Sequence, residues 1–203
     1  MRRPTRPTVD LLVVFGSVFA LQRIVGLFGV GIGWFALATP FARPWTLVTS
    51  VYAHTTVGHL LANAVALVAV GLLLERWTSR VRFHAFVLVT GALSGGAELA
   101  AGAVLGRPTA VLGASGAILA CYGYVLAGNR LTGGLLSRID LGRRTRVALL
   151  VAAAIAVTVL TAGPGVAVVA HAAGFVLGLV AGRVGVLDGA GRGTDGPRGH
   201  KFG

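Results

Sequence analysis

Apolar runs long enough to cross a bilayer alternate with short basic clusters along almost the whole chain. The first extends from about Val9 to Phe28, the second from Val57 to Leu74, the third from Phe83 to Leu105 and the fourth from Gly113 to Gly128. From Val147 to Gly182 no residue is formally charged if histidine is counted neutral. These 36 residues suffice for two further crossings, with Gly163-Pro164-Gly165 as the break. The pattern therefore predicts six transmembrane helices. Residues 29–56 are mostly apolar too, but Pro40, Pro44, Trp34 and Trp45 mark them as an interfacial segment lying in the membrane surface. A basic start before an apolar run also resembles a signal peptide, with Ala36-Leu37-Ala38 as its cleavage site. The length of the run, and the alternation of charge that follows, argue for a retained first span.

Arginine and lysine set the orientation. With both ends in the cytoplasm, the inner segments hold Arg2, Arg3 and Arg6, then Arg76, Arg80 and Arg82, then Arg130, Arg138, Arg143, Arg144 and Arg146, and last Arg183, Arg192, Arg198 and Lys201. Only Arg23, Arg43 and Arg107 of the 18 positive residues fall at the outer face, as the positive-inside rule requires. The expected layout is a basic cytoplasmic tail (1–8), one membrane domain (9–187) and a disordered, glycine-rich cytoplasmic tail (188–203).

Composition changes this picture little and excludes much. At 55% hydrophobic and 12% charged residues, with a mean hydropathy of +0.83, the chain is an integral membrane protein rather than a soluble domain. A net charge of +12 would suggest nucleic acid in a soluble protein, but here it encodes topology, and no nucleic-acid motif accompanies it. The single cysteine, Cys121, forbids an internal disulfide and reads as a packing residue. No internal repeat is apparent, which weakens the case for inverted-repeat transporters.

The candidate chemistry lies in polar residues that hydrocarbon should exclude. His54, His59 and Asn63 occur in AHTTVGHLLAN at the second span, with His59 and Asn63 on one helix face, and His171 occurs in the sixth. Gly113-Ala114-Ser115-Gly116 opens the fourth. Taken alone, a Gly-x-Ser-Gly run also arises where small residues let helices pack closely. A nucleophilic hydroxyl, however, needs such open backbone so that a carbonyl can approach and N–H groups can face the oxyanion. At 1.5 Å per residue from the cytoplasmic arginines, Ser115 lies about 22 Å up, His171 about 18 Å, Asn63 about 20 Å and His59 about 26 Å. One layer in the outer half of the core thus holds all four.

A serine and a histidine at one depth make a nucleophile and its general base if their helices touch. Gly174, Gly178 and Gly182 repeat every four residues below His171, and Gly116, Ala120 and Gly123 lie near one side of the serine helix, so small residues allow that approach. His59, Asn63 and the Ser115 N–H are then placed to donate to an oxyanion. No carboxylate is positioned to orient the histidine, and Glu98, the only acid on the outer side, is expected to face water or a polar contact near the outer loops.

These motifs resemble those of the rhomboid intramembrane serine proteases. The match comprises His54, His59 and Asn63, Gly113-Ala114-Ser115-Gly116, and Ala170-His171-Ala172-Ala173-Gly174, with Trp45 and Glu75 also in place. It covers about residues 8–187. The resemblance implies an all-α, six-helix membrane bundle with both termini cytoplasmic and a Ser115–His171 dyad in a water-filled cavity open to the outside. His59, Asn63 and the Ser115 N–H are similar to the family's oxyanion hole, His54 orders the cavity and its water, and Glu75 pairs with cytoplasmic basic groups. The implied activity is serine endopeptidase cleavage of single-span or multi-span membrane proteins near their outer ends, in the cell membrane, with the lipid bilayer as the other partner and no cofactor, metal or nucleic acid. Oligomeric state is left open. Two departures stand out: Leu119 replaces a tyrosine that in many relatives lies under the histidine, and Thr46 replaces an arginine after the tryptophan. Two other readings compete, a non-catalytic rhomboid-like protein that binds membrane clients and a metal or small-solute transporter with His54, His59 and His171 as ligands.

Overall fold

The computed structural model describes residues 6–38, 42–127, 144–145, 148, 152 and 167–188. Six helices are assigned within them: α1 (Pro7–Gly26), α2 (Thr46–Tyr52), α3 (Val57–Leu74), α4 (Arg80–Val104), α5 (Ser115–Ala127) and α6 (Val168–Val184). By length and composition α1, α3 and α4 can each cross a membrane, while α5 and α6 are shorter apolar helices. The expected fifth crossing, its Gly163-Pro164-Gly165 break, most of the arginine-rich loop and the C-terminal tail lie outside the described residues.

Local chemistry sets the helix ends. Pro7 opens α1, where its missing N–H is not needed. Thr56 caps α3 by accepting from the His59 N–H at 3.1 Å, and Ser79 caps α4 by accepting from the Arg82 N–H at 3.3 Å. Gly185, at φ +70°, ends α6 in the left-handed conformation that glycine adopts freely. The second expected span coincides with α3. The fourth starts two residues later than expected, because the Gly113 N–H is held by the Ser50 carbonyl at 2.8 Å and Gly113 itself turns at φ +125°.

Apolar side chains face both ways, as in a membrane bundle. Phe15, Leu67, Val70, Phe83, Ile118, Leu119 and Tyr124 fill the interior, while Val13, Leu21, Val65, Leu93 and Val180 are exposed where lipid would be. The most extensive contact among the described elements is between α5 and α6, and α4 lies against both. A Cβ on Gly174 would overlap the Gly116 carbonyl, and one on Gly178 the Ala120 carbonyl, so the two backbones touch directly.

Polar ties lock one end. Asp10 pairs with Arg80 at 2.8 Å, Arg82 donates to the Asp188 carbonyl, and the Leu187 N–H donates to the Tyr124 hydroxyl at 3.0 Å. Glu75 accepts from the Thr8 N–H at 3.1 Å. Among the described residues its hydrogen-bond partner is the first turn of α1, and no ion pair with a basic group is seen there.

The described part of the interfacial segment contains a 3₁₀ turn, Ile32–Trp34, followed by strand β1 (Leu37–Ala38) and then α2. Strand β1 pairs antiparallel with β2 (Ala110–Val111), Leu37 opposite Val111 and Ala38 opposite Ala110. The residues that resemble a signal-cleavage site are therefore part of the fold, tied to the segment that leads into Ser115. Trp34 and Trp45 stack with ring centres 5.9 Å apart, and the Trp45 indole N–H donates to the Trp34 carbonyl at 3.1 Å. Thr46 is buried and its hydroxyl donates to the Arg43 carbonyl at 2.5 Å, which secures the loop through a local turn.

Candidate active site

Ser115 is the first residue of α5 and His171 lies in the first turn of α6, 56 positions away. The Ser115 Oγ is 2.6 Å from His171 Nε2. Both residues are buried. The separation suits a strong hydrogen bond in which Oγ donates and Nε2 accepts, the arrangement needed to pass the hydroxyl proton to the ring. Glycine makes it possible: with Gly116, Gly174 and Gly178 at the seam, α6 lies close enough for a short side chain and an imidazole to meet.

The first turn of α5 has open backbone donors. A helix leaves its leading N–H groups without carbonyls four residues back, and the first such bond here runs from Ile118 N to Ala114 O. The positive ends of two helix dipoles, α5 and α6, meet at the Ser115–His171 pair. A cavity of about 30 Å³ opens beside Ser115, lined by Ser50, Ser94, Gly95, Gly113, Gly116 and Ala170 among others, and is large enough for water.

His59 lies against the turn before Ser115, and Asn63 and His54 are each in contact with His59. A Cβ on Gly113 would come within 2.7 Å of His59 Cε1 and 2.9 Å of Nε2, so that edge of the His59 ring lies against the turn two residues before Ser115. Asn63 is fully buried; its Nδ2 donates to the His59 carbonyl at 2.9 Å and keeps a second hydrogen, while its Oδ1 has no partner among the described residues. His54, also fully buried, donates from Nδ1 to the Tyr52 carbonyl at 3.1 Å and stands edge-on to the His59 ring with centres 5.1 Å apart.

The His171 Nδ1 is buried without a partner among the described residues. Leu119 is buried in the core. Glu98 makes no hydrogen bond to the ring. Its carboxylate accepts from the Ala170 N–H at 2.9 Å and so anchors the first turn of α6, one residue before the histidine. Such a charge-assisted bond at a helix start satisfies an open donor and complements the dipole.

Three residues at the site were not singled out from sequence: Gln22, whose Oε1 accepts from the His54 N–H at 3.1 Å; Thr55, whose hydroxyl lies 3.1 Å from His59 Nδ1; and Ser94, against Gly116. The available signal was a Gln22-Arg23 pair interrupting the first apolar run, and a Thr55-Thr56 pair just ahead of the second.

A helical membrane protein with a buried serine and histidine in hydrogen-bond contact is the class that fold and site define. The family model described as the Rhomboid domain matches residues 42–187, and the chain belongs to the rhomboid family. No curated protein matches it significantly.

Proposed function

We infer that the protein is an intramembrane serine endopeptidase in which Ser115 is the nucleophile and His171 the general base and acid. The observation that carries this reading is the 2.6 Å contact between Ser115 Oγ and His171 Nε2, made by two helices of a rhomboid-family chain. As Oγ attacks the scissile carbonyl, its proton passes to Nε2 and the carbonyl electrons move onto oxygen. The Ser115 N–H, a His59 ring N–H and the free Asn63 amide hydrogen stabilise that oxyanion, each such donor being worth about 10²–10³ in rate. Collapse breaks the C–N bond, and His171 returns the proton to the leaving amine. A water deprotonated by His171 then releases the acyl group from Ser115 and restores the pair. His54 packs behind His59 and orders the cavity. No cofactor enters any step.

The proposed setting is a membrane domain of residues 9–187 with six crossings, both termini cytoplasmic and the site open to the outside of the cell membrane. The serine's depth supports it: counted at 1.5 Å per residue up from the cytoplasmic arginines, Ser115 lies about 22 Å up against a hydrocarbon core of about 30 Å, so α5 begins below the outer face. Backbone donors at that depth are tolerated only beside protein or water. Substrates are single-span or multi-span membrane proteins cut near their outer ends, where helix-breaking residues lower the cost of unwinding.

The test is cleavage of a single-span substrate in liposomes together with fluorophosphonate labelling. Both activities should vanish in Ser115→Ala and in His171→Ala. A folded wild type that neither labels nor cleaves would instead support the client-binding reading.

A further inference from the structure

Two neighbours on α1 grip two neighbours just ahead of α3. Gln22 Oε1 accepts from the His54 N–H at 3.1 Å, and Arg23 Nη2 donates to the Thr55 carbonyl at 2.8 Å. Gln22 is buried, and Arg23 also lies over the Phe19 ring at 4.5 Å, so the grip is made by side chains that are themselves held. The gripped segment carries Thr55, whose Oγ1 is 3.1 Å from His59 Nδ1. The His59 main-chain N–H is fixed separately, by Thr56 Oγ1 at 3.1 Å. Backbone and ring of His59 are thus held by two successive threonines.

A neutral imidazole carries one proton, and the partner of one nitrogen decides which nitrogen bears it. His54 illustrates the rule: its Nδ1 faces a carbonyl, which can only accept, so Nδ1 carries the proton. His59 faces a hydroxyl, which can donate. When Thr55 donates to Nδ1, the proton must sit on Nε2, and Nε2 is on the ring edge that lies against Gly113. The opposite tautomer would present a lone pair to an oxyanion formed at Ser115, and would repel it.

We propose that Thr55 is a positioning residue that holds His59 as its Nε2–H tautomer, and that Gln22 and Arg23 keep the Thr55 segment in place to do so. This rests on the oxyanion role of His59 proposed above. Gln22 and Arg23 lie in α1, outside the matched residues 42–187, so the first helix contributes to the donor set through the Thr55 segment.

The decisive experiment is ¹⁵N NMR of histidine-labelled full-length protein in bicelles, with the His59 signal assigned by its loss in His59→Gln. The expected spectrum shows Nε2 protonated and Nδ1 unprotonated in the wild type, a mixture of both tautomers in Thr55→Val, and the wild-type pattern again in Thr55→Ser. Alongside it, kcat for the liposome substrate should fall about five- to tenfold in Thr55→Val, the worth of one neutral hydrogen bond, with KM unchanged and recovery in Thr55→Ser. A wild-type His59 protonated on Nδ1 would overturn the proposal, as would Thr55→Val with an unaltered tautomer. The spectrum decides this even if the wild type fails to label with fluorophosphonate, a result that would count against the protease reading alone.

Discussion

Between α5 and α6 the contact is backbone against backbone, permitted by Gly116, Gly174 and Gly178, and the Ser115–His171 hydrogen bond forms because two helices are allowed to come close. Between α1 and the start of α3 the contact is made by side chains: Gln22 and Arg23 reach the His54–Thr55 backbone, and Thr55 reaches His59. The first region is fixed by the absence of atoms and the second by their presence. Close packing tolerates almost no added volume, whereas a set of separate hydrogen bonds loses its members one at a time. The proposed nucleophile and base should therefore respond to substitution abruptly, and the proposed oxyanion donors by degrees.

The strongest test of that contrast is Gly178→Leu, whose side chain would be driven into the Ala120 backbone. Fluorophosphonate labelling should disappear, and unfolding in detergent should become easier by about 3 kcal/mol or more, at the upper end for overpacked cores. A variant that labels normally would show that α5 and α6 do not meet as described. Next is Gly113→Ala. The left-handed φ of +125° costs a non-glycine residue about 1–3 kcal/mol, and the added carbon meets His59. Cleavage should slow by about 10- to 100-fold, corresponding to the partial loss of one oxyanion donor, in a protein that still folds. Unchanged kcat would detach His59 from the reaction.

Glu98 allows a finer division. Glu98→Leu removes the acceptor of the Ala170 N–H and should destabilise the protein by about 1 kcal/mol, as for other lost helix caps, with labelling slowed a few-fold. Glu98→Gln keeps an acceptor and should stay close to the wild type. Equal losses in both variants would mean that the negative charge matters more than the bond. The smallest effect is expected for Trp45→Phe, which gives up one exposed hydrogen bond to the Trp34 carbonyl and should shift stability by less than about 0.5 kcal/mol. A larger change there would place part of the support for the site in the interfacial loop, outside both regions compared.

Much of the site was legible along the chain because polar residues in apolar runs are conspicuous. His59 and Asn63 stand out in a span otherwise free of hydrogen-bonding side chains, and the glycines around Ser115 announce open backbone. Gln22, Thr55 and Glu98 did not stand out in the same way. Each acts through a bond whose meaning depends on what lies opposite: Gln22 is 32 positions from His54, and Glu98 is 72 from Ala170. A threonine ahead of a helix reads as a cap, which Thr56 is, and nothing in the sequence separates it from Thr55, which faces an imidazole. Glu75 shows the same limit, since a terminal glutamate near arginines reads as an ion-pair partner but accepts from a backbone N–H.

What the sequence determined by itself was membrane residence, the extent of α3, and the choice of Ser115 and His171 as candidates, because hydropathy and helical rise are properties of a single segment and can be summed residue by residue. What only the tertiary structure decided was which atoms face each other: that Ser115 Oγ meets His171 Nε2, that β1 is tied to β2, and that the first helix reaches the neighbours of His59. Hydrogen bonds need partners within about 3 Å and in line, and that precision arises only when helices far apart in the chain have packed.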